Sequence, residues 1–544
     1  MAISLVSSAT NAILLSWGWR RAVIALSAGG LSALAMPPFS IGPVLWITIP
    51  VLVLLLDGVL ADKRLGTIGS AALVGWLFGF GYFLAGLWWI GSAFLVEAEN
   101  FAWMMPFAVA AMPAGLALFW AGAAALARLL WSEGPGRLFA LAASFALFEY
   151  LRGTILTGFP WNAPGYALAL HDVPLQTASL TGLYGMTLFA FIVFGAPVLL
   201  LGSARDRALR IGMATVIGCA TLGLVVFGIA RLAGAGSETL QEVRVRIVQP
   251  NIAQVEKWKP QNRAPIFQGL LDLSAGFDDN RPAGDTSGDL DDITHLIWPE
   301  TALPFLLAAG QTELGAIASL LPDGTHLVTG AMRVERLPNY PRGGKVYNSI
   351  YVFDADGTID EAYDKTHLVP FGEYLPFQSL FDRLGLAPVA AKIGGFAAGR
   401  TRANLSIGSA PPAMPLICYE AIFPGLDGFE PDRPGWLLNV TNDAWFGTTP
   451  GPYQHFQQAR MRTVEQGLPM VRAANTGLSA IIDPYGRVQE RLGLNQRGIV
   501  TGDLPASLPP TIFARYGQAP FAALVAICLV LALLFKGRRF SPHG

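Results

Sequence analysis

The sequence predicts two structures in one chain: a helical membrane domain of eight spans, and a globular α/β domain inserted between the seventh span and the eighth. Three observations predict it. Only 14% of the 544 residues are charged and the mean hydropathy is +0.45, whereas typical soluble chains are about 25% charged. The deficit is local, since 11 of the 37 basic and 8 of the 38 acidic side chains lie in the first 233 residues. The remainder has normal charge and alternating strand-like runs separated by helical stretches, the signature of α/β layering. A formal net charge of -1 leaves no basic surplus for a phosphate backbone, so nucleic acid is excluded as a partner.

Crossing the hydrocarbon takes roughly 20 apolar residues in a helix. Stretches of that kind occur at 22–41, 42–60, 67–90, 102–127, 138–155, 178–201 and 211–232, and an eighth at 518–535 closes the chain. The domains are therefore expected at 1–233 (seven spans), 234–515 (globular) and 516–544 (the last span and its tail). Lys and Arg in short loops stay on the cytoplasmic side. Arg20, Arg21, Lys63, Arg64, Arg128, Arg137, Arg205, Arg207, Arg210, Lys536, Arg538 and Arg539 all fall on one side of the eight spans, against Arg152 and Arg231 on the other. The globular domain is thus expected to face outward. Arg20-Arg21 followed by an apolar run and Ala33-Leu34-Ala35 has the outline of a cleaved signal peptide. The run continues through Met36-Pro37-Pro38-Phe39 into the next span, so the helix is expected to be kept. Glu149 and Arg152, three apart in the fifth span, are expected to pair on one helix face rather than form an ion path.

In the globular part, strands are expected at 243–248, 295–298, 326–334, 346–353, 416–420, 436–441, 471–483 and 499–503, with helices at 263–277, 311–321 and 452–467. The segment 278–292 is rich in Asp, Gly, Ser and Pro and reads as an inserted acidic loop.

Of three cysteines, Cys219 and Cys528 lie inside spans, where a thiol behaves as a small apolar group. Cys418 stands alone in the globular domain, either inert in the core or kept for reactivity. A thiol attacks as thiolate and needs a proton acceptor and a positive field. Trp298-Pro299-Glu300 ends a strand-like run, because proline stops the ladder, and so projects a carboxylate from a strand end. The loop Tyr363 to Pro376 carries Lys365 and Glu373 between aromatics. The six histidines show no ligand spacing and no cysteine partner, so neither metal nor cofactor is expected.

The ordered set Trp298-Pro-Glu300, Lys365-Thr-His-Leu-Val-Pro-Phe-Gly-Glu-Tyr-Leu-Pro376, Cys418-Tyr-Glu420 and Asn442-Asp-Ala-Trp-Phe446, following seven spans, resembles the apolipoprotein N-acyltransferase family. Its members carry an outward domain of the nitrilase, or carbon-nitrogen hydrolase, superfamily. Gln249 to Gln254 with Lys257 and Trp258, Tyr347-Asn348-Ser349, Gly451 to Phe456 with Ala459, Arg460 and Arg462, and Gly158-Phe-Pro-Trp161 agree with it. The resemblance implies an α-β-β-α sandwich and a catalytic triad: Glu300 as general base, Lys365 for the oxyanion and Cys418 as nucleophile. By similarity Glu373, Tyr419 and Glu420 support the triad, and Trp258, Asn348 and Trp445 lie near the substrate, although ordinary packing is an alternative for Tyr419, Trp258 and Trp445.

The donor implied is a membrane phospholipid and the acceptor the α-amine of an S-diacylglyceryl apolipoprotein, handled by a monomer in the bacterial inner membrane with its catalytic domain in the periplasm. A membrane-tethered amidase is the rival reading, because fold and nucleophile do not fix the acceptor. The apolar segments 375–381, with Phe377 and Phe381, and 384–389 are expected to form a lipid-facing lid hinged at Gly394, Gly395 and Gly399.

Overall fold

The computed structural model describes residues 2–59, 65–132, 134–201, 207–236, 238–276, 290–306, 311–337, 344–376, 395–425 and 433–537. They form two compact units, Met1–Ala235 with Pro510–Gly544, and Gly236–Pro509. The helix Ile512–Tyr516 belongs to the first unit.

The first unit is helical. Gly18–Ser32, Leu45–Asp57, Gly66–Leu87, Met105–Leu129, Gly136–Thr154, Ala178–Gly195, Arg207–Ala233 and Ala519–Gly537 occupy the eight expected spans, and Ala2–Leu14 adds a helix the apolar pattern does not single out. Five helical segments among the described residues are long and apolar enough to cross a membrane: Gly66–Leu95, Ala98–Leu129, Ala178–Leu200, Arg207–Ala233 and Ala519–Lys536. The other three expected spans fall short for visible reasons. Gly18–Ser32 and Leu45–Asp57 have 15 and 13 residues, and Gly136–Thr154 carries Arg137, Glu149 and Arg152. Arg207–Ala233 buries only 11% of its most apolar window although it is apolar all round, as a helix solvated by lipid does. Small residues let neighbours close up: a Cβ on Gly29 or Gly81 would lie 1.9 or 2.1 Å from a backbone oxygen of the facing helix.

Glu149 and Arg152 do pair, fully buried, at 2.5 and 2.8 Å. Trp120 donates to Glu149 at 2.7 Å, and the guanidinium lies over the Phe83 ring. That satisfies both charges within the helix bundle.

The second unit is a two-sheet sandwich. Its strands are β1 (Thr239–Gln249), β2 (His295–Ile297), β3 (His326–Arg336), β4 (Gly344–Phe353), β5 (Ile359–Asp364), β6 (Ala413–Ile417), β7 (Trp436–Thr441), β8 (Met470–Ala474), β9 (Ser479–Ile482), β10 (Val488–Leu492) and β11 (Gly498–Pro505). One mixed sheet has the order β11-β1-β2-β3-β4-β5 and the other β10-β9-β8-β7-β6, with β1-β2-β3 and β6-β7-β8 parallel. Alternation along the strands builds the layers. Val245, Ile247, Val328, Ile350 and Val352 face Ile417, Leu438, Val440 and Ile481 across the inter-sheet core. Leu296, Leu327, Tyr351 and Phe353 face the other way, onto the helices Arg263–Ser274 and Gln311–Leu320. Leu437, Met470 and Ala480 meet Ala459 of the helix Gly451–Gln466. The layers are α-β-β-α.

Three expectations are corrected. The run 471–483 is two strands joined at 475–478. The strand at 416–420 stops at Ile417. The edge strands β5 and β10 escape the pattern because Ile-Asp-Glu-Ala-Tyr-Asp and Val-Gln-Glu-Arg-Leu carry charges on their open faces.

Candidate active site

Three chain turns at strand ends bring the site together. After β2, Trp298 still pairs with Val328 of β3, and Gly330 N–H donates to the Pro299 carbonyl at 3.2 Å. The chain then turns through Thr301, which takes a left-handed φ of 46°. Only glycine fits at 330, since a Cβ there would lie 2.5 Å from Thr301 N and 2.6 Å from Glu300 Cα. Glu300 is left 6% exposed. Its Oε1 accepts from Asn348 Nδ2 at 2.7 Å and its Oε2 from the Asn442 N–H at 2.7 Å.

β5 ends at Asp364, clamped by Arg333 at 2.5 and 2.8 Å and by Ser349 at 2.7 Å. That clamp sets where Lys365 begins. Its N–H donates to the Asn348 carbonyl and its own carbonyl accepts from Gly399 N–H, both at 2.8 Å. Lys365 Nζ lies 2.9 Å from Glu373 Oε1 and 3.9 Å from Glu300 Oε1. Glu373 is tied by the Val369 N–H at 2.8 Å and by Asn348 at 3.1 Å. Asn348 therefore bridges the two carboxylates.

β6 ends in a turn at Cys418, whose φ of +49° swings the chain into a 3-10 helix, Cys418–Ile422. A non-glycine residue in that region is strained and is held there by its surroundings. Glu420 supplies the hold. Its Oε1 accepts from Tyr363 OH, Thr366 N–H and Thr366 Oγ1 at 2.9 Å and from His367 N–H at 3.1 Å, while Oε2 accepts from Ile417 N–H at 2.8 Å. One carboxylate thus ties the lysine loop to the cysteine turn. On the other side His455 contacts the Cys418 carbonyl at 3.1 Å and Asp443 at 2.8 Å, and Arg472 donates to Asp443 at 2.9 Å.

Burial pushes the Cys418 thiol well above the ordinary cysteine range, the Glu300 charge adds to that, and Lys365 pulls the other way. Burial likewise raises Glu300, opposed by Lys365 and reinforced by Glu373. Burial works against the Lys365 ammonium, but Glu373 and then Glu300 overcome it and hold it above the usual lysine range. The resting site is therefore a neutral thiol beside a charged ammonium, with a carboxyl whose proton affinity burial has raised above the ordinary carboxylate range.

The fold brings Glu300, Lys365 and Cys418 together with Glu373, Glu420 and Asn348. Tyr419 packs its ring against His367 and Phe423 at 5.7 and 5.1 Å. Trp258 and Trp445 are 39% and 41% exposed, so core packing does not account for them. Phe377, Phe381 and Gly394 lie outside the described residues. Four contributors are harder to find in the sequence. Lys257 donates to the Glu300 carbonyl at 3.2 Å, and Asn442 reaches Glu300 through its backbone, a contact no side-chain pattern encodes. Asp443 and His455 sit in quoted motifs without a readable role. As for ions, one group of three ligand-type side chains comes together among the described residues, His326, Asp354 and Asp360, within 4.8 Å, and it includes none of the triad.

The sequence matches the family model described as apolipoprotein N-acyltransferase N-terminal domain over residues 28–196 and that described as carbon-nitrogen hydrolase over 244–510. An apolipoprotein N-acyltransferase of Rhodopseudomonas palustris is 49% identical over 98% of both chains, and one of Bradyrhizobium diazoefficiens is 49% identical with the same coverage. Among solved structures, an amidase from Nesterenkonia sp. AN1 aligns with 53% of this chain and 99% of its own, at 16% identity and a TM-score of 0.34. With half its residues shared across nearly the full length of such relatives, the chain belongs to the apolipoprotein N-acyltransferase family.

Proposed function

We propose that this protein is a membrane N-acyltransferase that moves an acyl chain from a phospholipid to the α-amine of an S-diacylglyceryl cysteine at the N-terminus of an apolipoprotein, through a thioester on Cys418. The observation that carries this reading is the convergence of Glu300, Lys365 and Cys418 in one buried site, in a chain whose relatives bear that activity's name. The site lies in the periplasm, with the chain anchored in the inner membrane. That placement rests on the one-sided distribution of Lys and Arg. The enzyme is read as a monomer, and the chemistry below uses side-chain groups alone, so it calls for no cofactor.

The first half-reaction begins from the neutral thiol. As Sγ attacks the ester carbonyl, the Glu300 carboxylate takes the thiol proton, so no free thiolate accumulates. The oxyanion forms beside Lys365 Nζ, a fixed positive charge in a dry site, where such stabilisation is worth several kcal/mol. Collapse breaks the ester C–O bond, and Glu300 returns the proton to the leaving lysophospholipid. In the second half the neutral amine attacks the thioester, Glu300 accepts its proton, and the sulfur leaves and is reprotonated. An α-amine with a pKa of about 8 is partly neutral at pH 7, which suits it as an acceptor. The scheme is ping-pong.

Transfer of a fluorescent acyl chain from labelled phospholipid to a diacylglyceryl-cysteine peptide tests this. Wild type should form the amide and Cys418→Ala should not. Release of free fatty acid or ammonia without the amide would favour the hydrolase reading.

A further inference from the structure

Lys257 ends the short helix Gln254–Lys257 and is 1% exposed. Its Nζ donates to the Glu300 carbonyl at 3.2 Å and to Thr301 Oγ1 at 2.9 Å. The mechanism above does not use it. A buried ammonium is costly unless a charge compensates it. Both hydrogen-bond partners are neutral oxygens, so the compensation comes through space, and the charge that acts on Lys257 is the Glu300 carboxylate. Glu300 and Glu373 are then balanced by Lys365 and Lys257. Without Lys257, one ammonium faces two carboxylates.

We propose that Lys257 is a positioning residue for the general base: it pins the Glu300–Thr301 turn and supplies the second positive charge that keeps Glu300 ionised at neutral pH. This rests on reading Glu300 as that base. The groups around Glu300 from every other element are Lys365 and Glu373 from the segment after β5, Asn348 from β4, the Asn442 N–H after β7 and the Cys418 thiol after β6. The pinning is needed at this turn because Thr301 holds a left-handed backbone, which its hydrogen bond to Lys257 restrains. Burial lowers the Lys257 ammonium to about 8, with Glu300 holding it up, so the lysine stays charged at pH 7. Removing that charge raises the Glu300 carboxyl further, and the acid limb of the rate profile must move to higher pH.

The experiment is the pH profile of kcat/KM for acyl transfer by the full-length protein in vesicles, comparing wild type with Lys257→Met, Lys257→Gln and Lys257→Arg. Lys257→Met should move the acid limb up by about one pH unit. Lys257→Gln keeps a donor to both oxygens and loses the charge, so it should show the same shift with less loss of folded protein. Lys257→Arg should restore the limb towards wild type. A lower rate with an unmoved limb in both Lys257→Met and Lys257→Gln would mean a structural role only and would overturn the proposal, as would a wild-type profile. Glu300→Gln, measured alongside, separates the two claims. If Glu300→Gln still turns over, the assignment of the base fails; if it is inactive and the Lys257 variants leave the limb in place, only the proposal for Lys257 fails.

Discussion

Gly330→Ala probes how tightly the position of Glu300 is set. The added methyl carbon would stand 2.5 Å from Thr301 N, 2.6 Å from Glu300 Cα and 2.7 Å from the Pro299 oxygen. Relaxed contacts between such atoms lie near 3.5 Å, so the turn or β3 must retreat by about 0.8–1 Å. All three neighbours are backbone, so no flexible side chain can absorb the overlap. Overpacking of this kind costs about 1–3 kcal/mol in stability. A misplacement of about 1 Å at a catalytic group costs about a hundredfold in rate. The expected result is therefore a roughly hundredfold fall in kcat/KM in a protein that still unfolds cooperatively at a lowered Tm. Gly315→Ala is the control, because it lies in the helix Gln311–Leu320 with nothing within 4 Å of the new methyl. It should keep full activity and gain up to about 1 kcal/mol from helix propensity. Wild-type activity in Gly330→Ala, or a loss no greater than its unfolded fraction, would refute the idea that this close approach places Glu300.

Glu420→Ala strips acceptors from three backbone N–H groups, those of Thr366, His367 and Ile417. At about 1 kcal/mol or more each, both Tm and the rate of Cys418 alkylation should change, and an unchanged protein would show that the carboxylate does not hold the cysteine turn. Burial opposes the charge of Asp443, but Arg472 and then His455 hold its pKa down to about 2. The unfolded value is near 3.9, so the folded group binds its proton less tightly and adds roughly 2–3 kcal/mol, present above pH 4 and lost as pH falls towards 2. Asp443→Asn should flatten that acid dependence in chemical unfolding, and an equally steep loss in the variant would contradict it. Trp258→Ala and Trp445→Ala should change stability by no more than about 0.5 kcal/mol, as for exposed sites, while raising KM for lipid substrates several-fold. Unchanged kinetics on vesicles would remove both from substrate binding.

Much of the fold is legible in the sequence because its two solvents write different patterns. Lipid-facing helices such as Arg207–Ala233 are apolar all round, and the buried parallel strands β6 and β7 are short apolar runs. The elements that escape do so for physical reasons. β5 and β10 are edges whose charges mask their period. Gly18–Ser32 and Leu45–Asp57 are shorter as helices than the apolar stretches they overlap, because Ala33–Ala35 and Gly42–Val44 are 3-10 segments.

The site divides in the same way. Glu300, Lys365 and Cys418 each follow a strand end, which punctuation by proline and changes of pattern reveal. What holds them is long-range and silent in the pattern. Glu420 reaches residues 54 and 57 positions away, Asn442 acts through its backbone, and Lys257 looks like any surface lysine until burial and Glu300 give it a role.

The most direct measurement is the intact mass of the purified enzyme after incubation with a phospholipid of one defined acyl chain, followed by peptide mapping. The thioester mechanism predicts a single added acyl group, on the peptide containing Cys418, that disappears when a diacylglyceryl-cysteine peptide is added and never forms in Cys418→Ala. An enzyme that transfers acyl chains at full rate with no such adduct, or one that carries the adduct elsewhere and keeps it in Cys418→Ala, would contradict it.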